Sequence, residues 1–510
     1  MTHVAIRCDA TPSGGIGHLV RALSVADAAR AAGHTVVVAG SIEAPLARHL
    51  LDESGLEVTA APEDLGILAA EQGASVVHVD DYTIGADARD QVRAGGALLS
   101  SMEDGVFGRR PADVVVDSTI RAERVGRPED GSGEVLLGIA YAPMRAEVRA
   151  AREKRVEADH DVSRGARVLI VMGGTDATGA AGTLAAVCAA AEGVAHVSVI
   201  APEHGWDAVR AEAGEDVELL APSPAFLERA SAADLVVSAA GTTAWELACI
   251  GVPSLLVAVV ENQRAGYEAA LAERIARGLG TLEQVHTDRP AATAEVERAI
   301  ADLRAMRSWT PVGREKVDGH GAERIVAAWD AALARRIGTA ETPVAARPAI
   351  PSDSPLLLRW RNDPETRKVS RDSAPVPWQS HSTWYARTLE NPSRELYVVE
   401  RGGAPVGTVR FDALEEAPAG EEWEVSITLA PEARGHGLSR PVLAAGEAAF
   451  GARHPGAVVV AARRRERLDA LVEALPGAIA VTADLGEADD RARLVAEVVD
   501  RLGAVHVLVN

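Results

Sequence analysis

Short apolar runs alternate with longer stretches of helical period through the first two thirds of the chain. Val4–Ile6, Thr35–Ala39 (TVVVA), Ser75–Val79 and Val114–Val116 read as buried strands, because their apolar residues run on without alternation. After the first of them a Gly-rich turn, Thr11–Gly17, leads into a helix pattern from His18 to about Ala32, and Gly33 ends it. Such alternation of strand and helix predicts a parallel sheet with helices on both faces. The cycle begins again at Arg167–Met172 (RVLIVM), followed by Gly173-Gly174-Thr175, and continues through Val197–Ile200, Leu235–Ser238 and Ser254–Val260. Two consecutive lobes of this type imply a cleft between them, where ligands of open α/β sheets bind.

The pattern then changes. Residues 150–166 are strongly charged and read as a connector, so the first lobe spans 1–160 and the second 161–335. Gly338–Pro351 is rich in Pro, Ala and Thr, which makes 336–351 a linker that few contacts should cross. A mixed α/β segment follows at 352–455. It has an early helix carrying Arg359-Trp360-Arg361-Asn362-Asp363, and a second, His381–Leu389, anchored by Trp384 and Leu389. Strands are expected at Glu395–Glu400, Pro405–Arg410 and Glu422–Leu429, and a helix runs up to Phe450. The last piece, 456–510, reads strand–helix–strand–helix–strand.

Composition narrows the possibilities. Aromatic residues are only 3% of the 510, so the cores must be built from Ala, Val and Leu. A net charge of −22 argues against nucleic acid as a partner, since phosphate backbones need basic patches. It leaves a nucleotide pocket open, where backbone N–H groups bind phosphate locally. Cys8, Cys188 and Cys249 are far apart, odd in number and without metal-ligand spacing, as expected of reduced thiols in a cytoplasmic protein. The first residues carry no signal-peptide pattern, and no apolar run is long enough for a membrane partner.

Two turns carry candidate chemistry. Gly15-Ile16-Gly17-His18 follows the first strand, with Arg21 one turn on. A helix N-terminus suits a neutral imidazole acting as general base, although from spacing alone a helix-start histidine without chemistry is the plainer reading. Val20 stands where a dinucleotide fingerprint has its third glycine. In the second lobe, Ser238-Ala239-Ala240-Gly241-Thr242-Thr243-Ala244-Trp245-Glu246 reads as a phosphate cradle at a helix start, or as simple capping by the threonines. Glu246 is either an acceptor for ribose hydroxyls or a first-turn acid. Glu261-Asn262-Gln263 ends a strand at the cleft side.

Together, RCDATPSGGIGH, VDDY (Val79–Tyr82), LLGIAYAPMR (Leu136–Arg145), VMGGTD (Val171–Asp176), SAAGTTAWELACIGVPSLLV and ENQ resemble the UDP-2,4-diacetamido-2,4,6-trideoxy-β-L-altropyranose hydrolases of pseudaminic acid biosynthesis. Those enzymes are related to glycosyltransferases with two Rossmann-like lobes. The resemblance implies that His18 activates the attacking water, with Tyr82 and Asp81 near the sugar, and that no cofactor or metal is needed. It also implies that Gly17, Arg21, Gly174, Thr175, Gly241, Thr242, Thr243 and Glu246 hold the UDP-sugar, while Asn262 and Gln263 face the sugar or its phosphates. Ala240 stands where the family usually has a second glycine, Thr242 where it often has Ser, and Glu103-Asp104 where it has an Asp pair.

Arg434-Gly435-His436-Gly437-Leu438-Ser439, opening a helix after a strand, resembles the acetyl-CoA loop of the GNAT N-acetyltransferases, and the WRND start resembles their sugar-amine branch. The resemblance implies acetyl-CoA as co-substrate and fades after about Phe450. Gly456–Ala462, Arg463-Arg464, Ala480–Asp484 and His506–Asn510 resemble part of a short-chain dehydrogenase without its Gly-rich turn or catalytic set. These strands are expected to be a non-catalytic piece of a different parallel sheet, or else replacements for missing acetyltransferase strands. The function expected is a UDP-sugar hydrolase with an attached, impaired acetyltransferase. A glycosyltransferase and a non-catalytic nucleotide-sugar-binding protein are the alternatives.

Overall fold

The computed structural model of the chain describes residues 2–11, 15–156, 164–173, 175–223, 225–338, 342–370, 372–413 and 423–454, with the backbone of 459–462, 479–482 and 507–509. The α/β class holds. In the first lobe β1 (His3–Cys8), β2 (Thr35–Ala39), β3 (Glu57–Thr59), β4 (Val76–Asp80), β5 (Leu98–Glu103), β6 (Val114–Asp117) and β7 (Glu134–Leu137) form a parallel sheet in the order β3-β2-β1-β4-β5-β6-β7. In the second, β8 (Ala166–Val171), β9 (Val194–Ile200), β10 (Glu218–Leu220), β11 (Leu235–Ala239), β12 (Ser254–Ala258) and β13 (Arg277–Thr281) run β10-β9-β8-β11-β12-β13, again parallel. Each sheet reverses its winding once, between β1 and β4 and between β8 and β11. A crevice opens there at the strands' C-terminal ends.

The lobes exchange helices. The charged segment expected as a connector is helical at Ala146–Val156, and its Val148 and Ala151 sit in the second lobe's core with Leu169, Val236 and Leu247. Its arginines explain the charge: Arg152 donates to the carbonyls of Cys249, Arg314 and Val317, and Arg155 to those of Ser231, Ala233 and Gly251. In return the Gly321–Ile337 helix crosses back. Ile325, Val326, Trp329 and Leu333 complete the first lobe's core, and Trp329 Nε1 donates to Ser100 Oγ at 2.8 Å.

The expected linker is in part a strand. β14 (Val344–Pro348) is the edge of an antiparallel sheet with β15 (Arg394–Arg401), β16 (Ala404–Ala413) and β17 (Trp423–Leu429). An edge position explains the proline that made the segment read as linker, because there one N–H can be spared. β18 (Val459–Ala462) and β19 (Ile479–Thr482) pair parallel with each other. β20 (Val507–Val509) instead runs parallel to β17, Trp423 opposite Val507, and becomes the fifth strand of the acetyltransferase-like sheet. That overturns the expectation of a separate parallel sheet for this strand and agrees with the replacement reading. Arg463, Arg464 and Asp484 lie outside the described residues.

Nor is this domain loosely attached. The Ser354–Asn362 helix packs on the first lobe's Leu65–Gln72 helix. Arg359 Nη1 donates to Ser75 Oγ at 2.9 Å, and Asn362 Nδ2 to the carbonyl of Glu71 at 3.1 Å. Gly73 (φ 67°) lies so close that a β-carbon there would meet the Asn362 carbonyl carbon at 2.5 Å. In the Trp378–Glu390 helix the buried anchors are His381 and Tyr385; Trp384, expected as an anchor, is 39% exposed. Cys8, Cys188 and Cys249 are buried free thiols. Among the described residues no helix is long and apolar enough to cross a membrane.

Candidate functional site

Between the lobes lies a cleft of about 390 Å³. From the first lobe it is lined by Gly17, His18, Arg21, Tyr82, Asp104 and Arg145, and from the second by Thr175, Gly241, Thr242, Thr243, Glu246, Asn262 and Gln263. The described residues expected to hold the UDP-sugar are therefore in one place, with His18 and Tyr82 but without Asp81; Gly174 lies outside the described residues. The lobes nearly touch at its floor, where a β-carbon on Gly17 would come 3.6 Å from Thr242 Oγ1.

His18 does more than open a helix. Its Nδ1 lies 2.7 Å from Asp80 Oδ1. Two bare acceptors would repel at that distance, so Nδ1, which also has Arg21 Nη2 at 3.0 Å, carries a proton toward Asp80, and in the neutral ring Nε2 is then the acceptor. Asp80 is fully buried at the end of β4 and also receives Arg21 Nε at 2.9 Å and Nη2 at 2.6 Å. Burial alone would push its carboxyl up, but Arg21 and His18 together hold it well below the usual carboxylate range. Arg21 reaches on to Asp104, with Nη1 at 2.7 and 2.9 Å from its two oxygens. The Tyr82 hydroxyl donates to the same carboxylate. Burial first, then the Asp104 charge, push the Tyr82 phenol above its ordinary value, so it stays protonated. Its ring meets that of His18 edge-on, 4.7 Å between centroids.

Asp81, expected near the sugar, is absent from the cleft lining. Its Oδ1 accepts from Thr83 N and Oγ1, both at 2.7 Å, and its Oδ2 lies 3.2 Å from Arg7. The reason is strand alternation. Val77 and Val79 pack into the core on one side of the sheet, whereas Val76 faces the His18 helix. His78 and Asp80 share the face of Val76, and Asp81 follows the other. Asp80, Asp104 and Arg145 are the site residues that sequence reasoning missed; counting alternate positions back from the strand end finds the first.

Across the cleft, the Thr242–Ile250 helix begins at Gly241, and no side chain caps its first N–H groups. The threonines are not the cap, and while Ala244 N donates to the Gly241 carbonyl at 2.9 Å, the N–H groups of Thr242 and Thr243 have no acceptor among the described residues. Glu246 is 5% exposed and receives Arg145 Nη2 from the first lobe at 2.9 Å, so it is paired rather than a bare helix-end charge. Asn262 Oδ1 is buried without a hydrogen-bond partner among the described residues. Gln263 Oε1 accepts from Val259 N at 3.1 Å, and its amide nitrogen lies 3.4 Å from where a Gly241 β-carbon would stand.

In the third domain the loop Arg434–Ser439 leads from the Pro431–Ala433 turn into the Ser439–Arg453 helix. Gly435 (φ 78°) and Gly437 (φ 70°) turn it. The Arg434 guanidinium is committed within the domain, with Nη1 2.7 Å from Asp363 Oδ2 and Nη2 2.5 Å from Thr366 Oγ1. It braces the WRND segment against the loop instead of reaching for a pyrophosphate. Gly435, His436, Gly437, Leu438 and Ser439 follow as one turn, with Leu438 buried and His436 exposed.

Two lobes with parallel, Rossmann-like sheets, face to face across a polar cleft, followed by an α+β domain with a largely antiparallel sheet, define the class of this molecule. Residues 344–467 match the family described as the acetyltransferase (GNAT) domain. No curated protein matches the chain. Among solved structures, MurG of Acinetobacter baumannii is similar at 16% identity and a TM-score of 0.47, over 64% of this chain and 99% of that one. The S. aureus MnaA–UDP co-structure is similar at 13% identity and a TM-score of 0.46, over 64% and 95%. Spinosyn rhamnosyltransferase SpnG complexed with thymidine diphosphate gives 17% and 0.45, over 63% and 98%.

Proposed function

We propose that the first two lobes hydrolyse a UDP-linked amino sugar of the diacetamido-trideoxy type, releasing UDP. The observation that carries this reading is the His18–Asp80 pair facing, within one cleft, the uncapped helix start at Thr242. A buried carboxylate that fixes the imidazole tautomer, opposite free N–H donors, matches the needs of water attack with departure of an anionic leaving group.

In this mechanism water sits at His18 Nε2 and its oxygen attacks the anomeric carbon. Nε2 takes the proton as the bond to the β-phosphate oxygen breaks, and that oxygen keeps the electron pair. The resulting imidazolium is stabilised by Asp80, as in other carboxylate–histidine pairs. The N–H groups at Thr242 and Thr243, with their hydroxyls, receive the diphosphate. Glu246, held by Arg145, accepts from the ribose. Tyr82, Asn262 and Gln263 line the sugar side, and Arg21 positions Asp80 and Asp104.

The third domain is proposed to use acetyl-CoA. Its loop fits such a group: a β-carbon built on Gly435 or Gly437 would meet nothing within 4 Å, and no side chain caps the helix that follows. Bound there, acetyl-CoA supplies an activated acetyl group. The backbone of Gly435–Ser439 would hold its pyrophosphate, while Arg434 keeps the loop against Asp363. N-acetylation of an amino sugar on UDP and release of that sugar from UDP are chemically consecutive, which gives the fusion a rationale.

The test is incubation of the full chain with a panel of UDP-amino-sugars and no acceptor, following free UDP. Release supports the hydrolase. Release only when an acceptor sugar is added makes the lobes a glycosyltransferase, and tight UDP binding without turnover makes them a binding protein.

A further inference from the structure

A second cavity, about 730 Å³, lies at the seam between the first lobe and the acetyltransferase-type domain. One wall is Arg93, Gly96 and Arg336; the other includes Asp353, Arg359, the Gly402-Gly403 turn and Glu432. The acids on this surface are already taken. Asp353 is gripped by Arg347 at 2.7 and 2.8 Å, and Glu432 by Arg359. Arg93 is held by Asp113.

Arg336 is different. Its one hydrogen bond among the described residues is a long one, 3.4 Å from Nη1 to the Gly96 carbonyl, and no carboxylate lies within ion-pair reach. Next to it stands Arg359, 2% exposed, whose Nε–H has no partner among the described residues. Burial, partly opposed by Asp113 and Glu432 and reinforced by Arg359 and Arg93, pushes the Arg336 guanidinium below its ordinary value. A half-buried guanidinium with one poor hydrogen bond is unfavourable unless something else meets its charge. The Arg336 guanidinium and the one spare N–H of Arg359 line the same cavity, and N–H donors of this kind are what phosphate and carboxylate groups satisfy.

We propose that the seam cavity is a binding site for a small oxyanion, the phosphate or carboxylate group of a metabolite, held by Arg336 and the free Nε–H of Arg359. The site is separate from both the inter-lobe cleft and the Arg434–Ser439 loop. It lies where the two units meet, and Glu432, which competes with the anion for Arg359, sits two residues before that loop. An anion bound here therefore draws on both units at once.

The experiment is calorimetry on the full chain presaturated with UDP and CoA, so that the other phosphate sites are filled. Inorganic phosphate and citrate are titrated separately. A single saturable site is expected for at least one of them: heat with phosphate alone assigns a phosphorylated metabolite, and heat with citrate alone a carboxylate. Arg336→Met should weaken that binding about tenfold or more, as loss of a charge-assisted hydrogen bond does. Without the anion, Arg336→Met should melt no lower than wild type, and the anion should raise the melting temperature of wild type only. Arg336→Lys keeps the charge and loses the fork, so it should bind more weakly than wild type. No saturable heat with either anion, or unchanged affinity in Arg336→Met or Arg336→Lys, overturns the proposal.

Discussion

In the pair Asp80-Asp81, the alternation of a β-strand decides which carboxylate meets the imidazole. Asp80→Asn can no longer hold Nδ1–H against a carboxylate, and turnover of the UDP-sugar should fall by roughly 10³–10⁴ with UDP affinity kept. Asp81→Asn should leave turnover near wild type and lower stability by roughly 1–3 kcal/mol, the worth of a buried charged hydrogen bond. The opposite ranking in steady-state kinetics would return the catalytic role to Asp81. His18→Ala should lose at least ~10² in turnover while calorimetric UDP binding survives, because the diphosphate donors belong to the other lobe. Glu447, in the Ser439–Arg453 helix, makes a different kind of prediction. Both its carboxylate oxygens are buried without a partner among the described residues, and burial pushes its carboxyl up to about 7. The fold thus keeps a proton that the unfolded chain releases, so stability falls as pH rises from the ordinary carboxylate range through about 7. Glu447→Gln should match wild type near pH ~4 and exceed it by roughly 1–3 kcal/mol near pH ~8, read from urea melts.

Among the elements, those with a strong local signal were legible and those set by their neighbours were not. TVVVA became β2 at Thr35–Ala39 as expected, because a β-branched run buried on both faces has no other stable use. The segment Val344–Pro348 was hidden by its proline, which only an edge place in a sheet tolerates. The exchanged helix Ala146–Val156 was hidden by its charge, since nothing local tells that Arg152 and Arg155 end on buried carbonyls. Likewise the cradle at Gly241–Glu246 was legible from small residues at a helix start, but its partner Arg145 comes from another lobe. The strand β20 carries a prediction at this scale. It pairs with β17 over Trp423–Val425, so among the described residues Ser426–Leu429 has no partner on that edge. On the acetyl-CoA reading proposed above, that gap is where the acyl group would enter the sheet. Full-length protein is therefore expected to transfer acetyl groups, and a chain cut after His454 to lose most of that activity while still releasing UDP. Equal thiol release from acetyl-CoA by the two forms would show that β20 plays no part.

At the scale of the whole molecule, the Gly321–Ile337 helix ties everything together. Its middle fills the first lobe, and its last residue, Ile337, lies in the third domain's core with Leu356 and Trp360. A chain cut to residues 1–335 would uncover the Gly73 and Gly96 surface on which Asn362 and Leu356 sit. It is expected to be less soluble and to melt well below the intact protein, contrary to what a Pro- and Ala-rich linker suggests. Scanning calorimetry showing an unchanged first transition in the shortened form would refute this. The crossing of helices also sets a timetable for synthesis. The first lobe's sheet emerges from the ribosome long before Trp329, whose indole reaches Ser100, and must wait half covered while the second lobe is made. Nascent chains stalled before Gly321 should be open to protease in the first lobe, and those released beyond Ile337 closed. If the two lobes close in a single step in this way, a translational pause between them should lower the yield of folded protein.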